Sequence, residues 1–227
     1  MRFIIIIIFQ LIFCVLPHFS LGQTWKATYT YQQESTNFKE EYTLLFNDTL
    51  AQYIHEHKFT TTENDKGWEF YFKHDYYNWY YNKTNSTITE RRLLEEGLPV
   101  HASYNHKLEW EFSEETKIIN GYTCYKATTL AYDLDPKSEM AYGKAIAWYA
   151  PEIPYPYGPE RYFGLPGLIV QLEFSNRSFI CQLQSLKKIS EIATIPNLDN
   201  GSKEVTKREV IWPTLLKNSW INKQLGK

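Results

Sequence analysis

The sequence predicts an all-β protein, a single strongly curved antiparallel sheet or open half-barrel of about ten short strands. Three observations predict it. Runs of β-branched and aromatic residues with period-two alternation recur along the chain. Helix signals are scarce, and there is no long internal repeat and no βαβ alternation. Several of the runs alternate on one face only, which leaves a wet face and favours a curved sheet over a sandwich.

The elements follow in order. Arg2 and an apolar run over residues 3–16, interrupted only by Gln10, precede Pro17 and the small residues Ser20 and Gly22. A run of about 14 residues is short for a bilayer span and suits a secretory signal. The expected organisation is therefore a signal peptide over 1–22 and one β-rich domain over 23–227, with no later apolar segment of spanning length. That reading places the protein outside the cytoplasm, in the periplasm, at the outer membrane or secreted.

Residues 25–31 read as the first strand. Residues 41–46 and 50–57 form a hairpin across Asn47-Asp48. The aromatic run 68–81 is one bent strand or two, and it pairs with 87–93 across the turn at 82–85. Residues 90–96 have enough charge for a helical turn. Further strands are expected at 108–112, at 118–130 with a turn at Asn120-Gly121, at 143–149, at 168–174 and at 179–186. Residues 195–227 read as a loosely attached tail, an exposed loop to 208 and a short helix over 214–225 capped by Thr214.

Composition excludes several function classes. Net charge is −2 with no basic stripe, which disfavours nucleic acid. No serine stands in a nucleophile elbow, and no glycine-rich loop opens a helix for phosphate. No catalytic residue and no cofactor is therefore assigned. His55 and His57 share a strand face and are the alternative, the start of a metal site in a metal-binding protein or hydrolase. Solvated polar residues on a strand's outer face explain them more simply, since zinc needs three or four ligands. Glu109 and Glu111 read as the water-facing edge of a strand.

Aromatic residues make up 17% of the chain. Trp68, Phe70, Phe72, Trp79 and Tyr81, with Tyr155 and Tyr157, either line a concave cavity for an apolar ligand or pack the sheet at its bend. Cys124 and Cys181 form a disulfide in an oxidising compartment, or else are two buried thiols on strands too far apart to bridge.

Residues 151–159 carry four prolines, so this stretch is stiff, extended and unable to join a ladder. Gly164 and Gly167 around Leu165-Pro166 then permit close approach or positive φ at the mouth of a core strand.

The run Gly164-Leu165-Pro166-Gly167-Leu168-Ile169 resembles the motif of the GLPGLI family of exported Gram-negative proteins. Trp110, the segment 115–127 with Gly121, Tyr122 and Cys124, then Trp148, Pro154, Gly158 and Pro159 are similar to further family elements in the same order. The resemblance covers about residues 108–174, and departs from the family pattern in a longer, acidic connector at 132–142 and in Cys181. It implies an envelope protein with no established activity, cofactor or catalytic residues. The fold it implies is similar, by analogy, to the curved half-barrels of lipoprotein-carrier proteins. The expected function is a non-enzymatic binding module for an apolar ligand, a peptide or an outer-membrane partner, with 151–159 as rim or lid.

Overall fold

The structure is a computed structural model that describes residues 23–33, 39–55, 61–63, 69–71, 77–93, 99–131, 143–175, 177–190, 202–207 and 210. Its strands are β1 (Thr24–Gln33), β2 (Lys39–Phe46), β3 (Leu50–His55), β4 (Thr61–Glu63), β5 (Glu69–Tyr71), β6 (Tyr77–Asn82), β7 (Thr87–Leu93), β8 (Pro99–Asn105), β9 (Glu111–Ile119), β10 (Tyr122–Leu130), β11 (Lys144–Ala150), β12 (Leu168–Phe174), β13 (Arg177–Ile189) and β14 (Lys203–Glu204). Twelve of them form one open sheet in the order β14-β8-β7-β6-β3-β2-β1-β13-β12-β11-β10-β9, and β4 and β5 pair separately.

The sheet is thus two meanders joined at a central seam. β1 pairs with β2 on one edge and, antiparallel, with β13 on the other. Hairpins form because turn residues sit where the ladder must reverse. The Asn47 side chain accepts from the backbone N–H of both Thr49 and Leu50 at 2.9 Å, which closes the β2–β3 turn. Asn120 at φ 52 and Gly121 at φ 84 supply the left-handed pair between β9 and β10.

Register carries one buried face across the sheet. On one arm it runs Ala102, Glu90, Trp79, Tyr53, Leu44, Ala27, each the cross-strand partner of the next. On the other it runs Tyr31, Cys181, Leu172, Ala147, Ala127, Phe112. Nearly all these side chains are buried, and Phe112 at the far end is 63% exposed.

Two segments lie on this face. The first is the proline-rich crossing from β11 to β12. Ile153, Tyr155 and Tyr157 alternate into the core although the segment joins no ladder, while Pro151, Glu152 and Pro154 face out. Its backbone groups find local partners. Ile169 N–H donates to the Tyr157 carbonyl at 2.9 Å, Leu168 N–H to Ile153 at 3.0 Å and Gly164 N–H to Pro156 at 2.8 Å. The second is the stretch around β14, which pairs parallel to β8 and brings Val210 against Val100 and Ala102.

Some expected elements differ. Of the helical turn expected at 90–96, residues 90–93 instead continue β7, because Glu90 turns inward between Trp79 and Ala102, and residues 94–96 lie outside the described residues. Residues 106–110 are irregular, and the strand expected at 108–112 begins only at Glu111. Trp110 has a different task there: its indole N–H donates to the Phe163 carbonyl at 3.0 Å, which binds this stretch to the crossing segment. The run 68–81 contributes β5 and β6, which lie in different sheets. The loop expected at 195–208 holds β14 in its described part. The helix expected at 214–225 lies outside the described residues.

β9 is an edge strand with a bulge. Thr116 faces Tyr125 and Phe112 faces Ala127, so three residues, Ser113 to Glu115, stand against Lys126 alone. The β9–β10 tip bends back over the outer face. Asn120 donates to the Leu183 carbonyl of β13, and in-plane the two strands would be about 14 Å apart at normal strand spacing.

Candidate functional site

Among the described residues the inner face is packed by side chains of the crossing segment. Tyr155 stands edge-on to Phe46 with ring centroids 5.0 Å apart, and Trp25 N–H donates to its hydroxyl at 3.1 Å. Tyr157 packs against Phe46 and Tyr81 at 5.6 and 6.0 Å, and Tyr81 stacks on Phe163 at 3.9 Å. Tyr29 donates to the Ile169 carbonyl at 2.7 Å and so fastens the motif strand to β1. The space left among Leu44, Tyr53, Trp79, Tyr157 and Phe163 is about 20 Å³, room for one water.

Trp79, Tyr81, Tyr155 and Tyr157 are therefore brought together by the fold, as ring-on-ring packing. Phe70 lies in β5, and Trp68 and Phe72 lie outside the described residues. Of the motif residues, Leu165, Leu168 and Ile169 are core, Tyr122 is half-buried and Trp148 lies under Lys117, whose Nζ is 4.1 Å from the ring centre. Pro154, Pro166 and Gly164 are exposed, whereas Gly158, Pro159 and Gly167 are buried.

Cys124 and Cys181 are free and buried. They stand on β10 and β13, three strands apart, and Cys181 alternates onto the inner face while Cys124 shares neither its row nor its parity with inward Ala127. A disulfide needs Cα atoms within about 7 Å. Burial pushes the Cys124 thiol up to about 11 and raises that of Cys181, so neither is poised as a nucleophile. His55 is the last residue of β3, and His57 lies outside the described residues. Among the described residues no group of three His, Cys, Asp or Glu side chains converges for a metal.

The sequence reading passed over a buried ionic cluster. Glu90 is 0% exposed, accepts from the Tyr104 hydroxyl, and meets Arg161 Nε at 2.7 Å. The Arg161 guanidinium lies 4.1 Å from the Trp79 ring centre. His106 sits beside Tyr104 and Phe163, and burial with the nearby Lys207 and Arg161 charges lowers it to about 4. Lys207 lies 4.3 Å over the Tyr104 ring, and burial and Arg161 lower its own titration. Arg161 comes from the crossing segment, Glu90 from β7 and Lys207 from the tail. The cluster joins the crossing segment, β7, β8 and the tail, with Glu90 and Arg161 largely removed from water. The signal that could have found it was a lone Glu90 in an otherwise inward-facing register.

A wider concavity among the described residues lies at the rim where the inner row ends. Thr123, Tyr125, Tyr149, Pro151 and Glu152 line an open depression of about 410 Å³. Tyr125 and Tyr149 are cross-strand partners with rings 6.1 Å apart at 34°. Phe112 meets Tyr149 edge-on at 6.3 Å. Ile118 faces Thr123 across the hairpin and is 77% exposed. Glu152 Oε1 accepts the Thr123 N–H at 3.0 Å. Such a run of exposed apolar side chains beside a polar-walled hollow is the pattern of an interaction surface.

Comparison with known proteins adds the following. A family model described as a protein of unknown function (Porph_ging) matches residues 132–171. No curated protein matches the chain. PNGF-II superposes with TM-scores of 0.60 in its C2 crystal form and 0.61 in its P21 form, at 20% identity. Each match covers 84% of this chain and 33% of PNGF-II, so the chain spans about a third of that protein, and the likeness is one of fold. A putative outer membrane lipoprotein-sorting protein domain from Vibrio parahaemolyticus aligns over 86% of this chain at 9% identity, with a TM-score of 0.25 that carries no argument. Among the described residues no helix is long and apolar enough to cross a membrane.

Proposed function

We propose that the protein is a non-enzymatic interaction module of the cell envelope that binds a peptide or outer-membrane partner at the rim depression. One observation carries this reading. The described part of the concave face retains about 20 Å³ beside Tyr157, whereas an open hollow of about 410 Å³ lined by Tyr125 and Tyr149 lies next to the exposed Phe112 and Ile118. The signal-like segment 1–22 and the family resemblance support the envelope setting. Pro151 and Glu152 serve as the wall of the site, and the rest of the proline-rich segment serves as its foundation.

Photo-crosslinking tests this. A benzophenone side chain is placed at position 118 or 125, and at the exposed outer position 184 as control, in the cell that makes the protein. Discrete adducts at 118 and 125 with none at 184 are expected. Equal adducts at all three, or none at the rim, would overturn the reading.

A further inference from the structure

The rim depression has a definite chemistry, which rests on the reading above and sharpens it. Two tyrosine rings form its floor and side, and Glu152 forms its wall. The carboxylate spends one oxygen contact on the Thr123 N–H and has further acceptor capacity. No lysine or arginine is among the described residues that line it.

Elsewhere this molecule combines the same groups with a cation. Arg161 lies 4.1 Å from the Trp79 ring centre and 2.7 Å from Glu90. Lys117 lies 4.1 Å from Trp148 and 3.4 Å from Glu173. Lys126 lies 5.9 Å from Trp148 and 2.6 Å from Glu115. At the rim the aromatic face and the carboxylate are present and the cation is missing. The negative ring faces and the carboxylate charge both favour a positive group there, whereas an uncharged apolar side chain would desolvate Glu152 with nothing in return.

We propose that the depression receives an arginine side chain of a protein partner. The planar guanidinium would stack on Tyr125 and Tyr149 and bond Glu152, while Phe112 and Ile118 contact the apolar residues beside that arginine. Arginine suits the site better than lysine because it can stack and fork at once.

The test is titration of the isotope-labelled chain with the peptide acetyl-Gly-Gly-Arg-Gly-Gly-amide, following the backbone amides of Thr123 and Tyr125 by NMR. The comparison probes are the same peptide with citrulline for arginine, and chitotriose. An exposed ion pair and an exposed cation–π contact each contribute up to about fivefold in affinity. The arginine peptide is therefore expected to bind about fivefold more tightly than the citrulline peptide. Glu152→Gln, which keeps an acceptor for Thr123, is expected to shrink that preference to the part that the ring faces alone supply.

Equal binding of the two peptides, an unchanged preference in Glu152→Gln, or saturation of these amides by chitotriose alone would overturn the proposal. So would absence of any shift. If rim crosslinks at 118 and 125 persist in any of those cases, the arginine assignment falls and the interaction surface stands. If the crosslinks are also absent, both fall.

Discussion

Gly164 and Gly167 are the same residue type with two different reasons to be glycine. Gly164 has φ +91, and a Cβ there would meet nothing within 4 Å. Gly167 lies so close to the end of β11 that its Cβ would come within 2.3 Å of the Ala150 carbonyl oxygen. Backbone cannot step aside as a side chain can. Gly164→Ala is expected to cost about 1 kcal/mol, the usual penalty for a left-handed alanine. Gly167→Ala must displace the strand end and is expected to cost about 3 kcal/mol or more. Urea unfolding of both variants checks the order, and a Gly167→Ala protein as stable as Gly164→Ala would contradict the geometry. The sequence offered both reasons for the pair without dividing them, because φ and backbone approach are properties of the assembled crossing.

At the scale of elements, the segment from Pro151 to Gly167 holds the two arms of the sheet together from within. Its strongest polar attachment is the Glu90–Arg161 contact, in which both partners are largely removed from water. Removing one charge of such a pair leaves the other buried and uncompensated. Arg161→Ala is expected to destabilise by about 3–5 kcal/mol, and a Glu90→Leu/Arg161→Leu double variant by much less. Equilibrium unfolding of the single and double variants measures this, and an additive double variant would refute the pairing.

Strands were legible wherever large apolar residues alternate, as in β1, β2, β12 and β13. β8 was not, because its inward residues Val100, Ala102 and Tyr104 include one large side chain only, among His101, Ser103 and Asn105. The rim depression was not legible either. Tyr125 and Tyr149 are brought together by β10–β11 register, and Glu152 by a loop whose path depends on what it packs against.

For the molecule as a whole, acid should loosen the junction of the crossing segment, β7, β8 and the tail. His106 faces the Arg161 and Lys207 charges and the rings of Tyr104 and Phe163, and its folded value is lowered to about 4 against an ordinary value near 6.5. The unfolded chain therefore binds a proton before the folded one does. The contribution is fully present above about pH 6.5 and is lost as pH falls through the range down to about 4. Denaturant midpoints across that range should fall with acid, and His106→Gln should flatten the decline. A wild-type midpoint as high at pH 4.5 as at pH 7 would contradict it.

The central seam has a consequence for how the chain comes into being. Thr24, near the start of the described chain, pairs with Ile189, while most other neighbouring strands are also consecutive in sequence. A chain emerging N-terminus first can zip β1 to β2 and its followers early. The other edge of β1 must wait for β13, which follows eleven intervening strands among the described residues. Long-range closure of this kind is slow, and until it happens a half-finished sheet holds an open template.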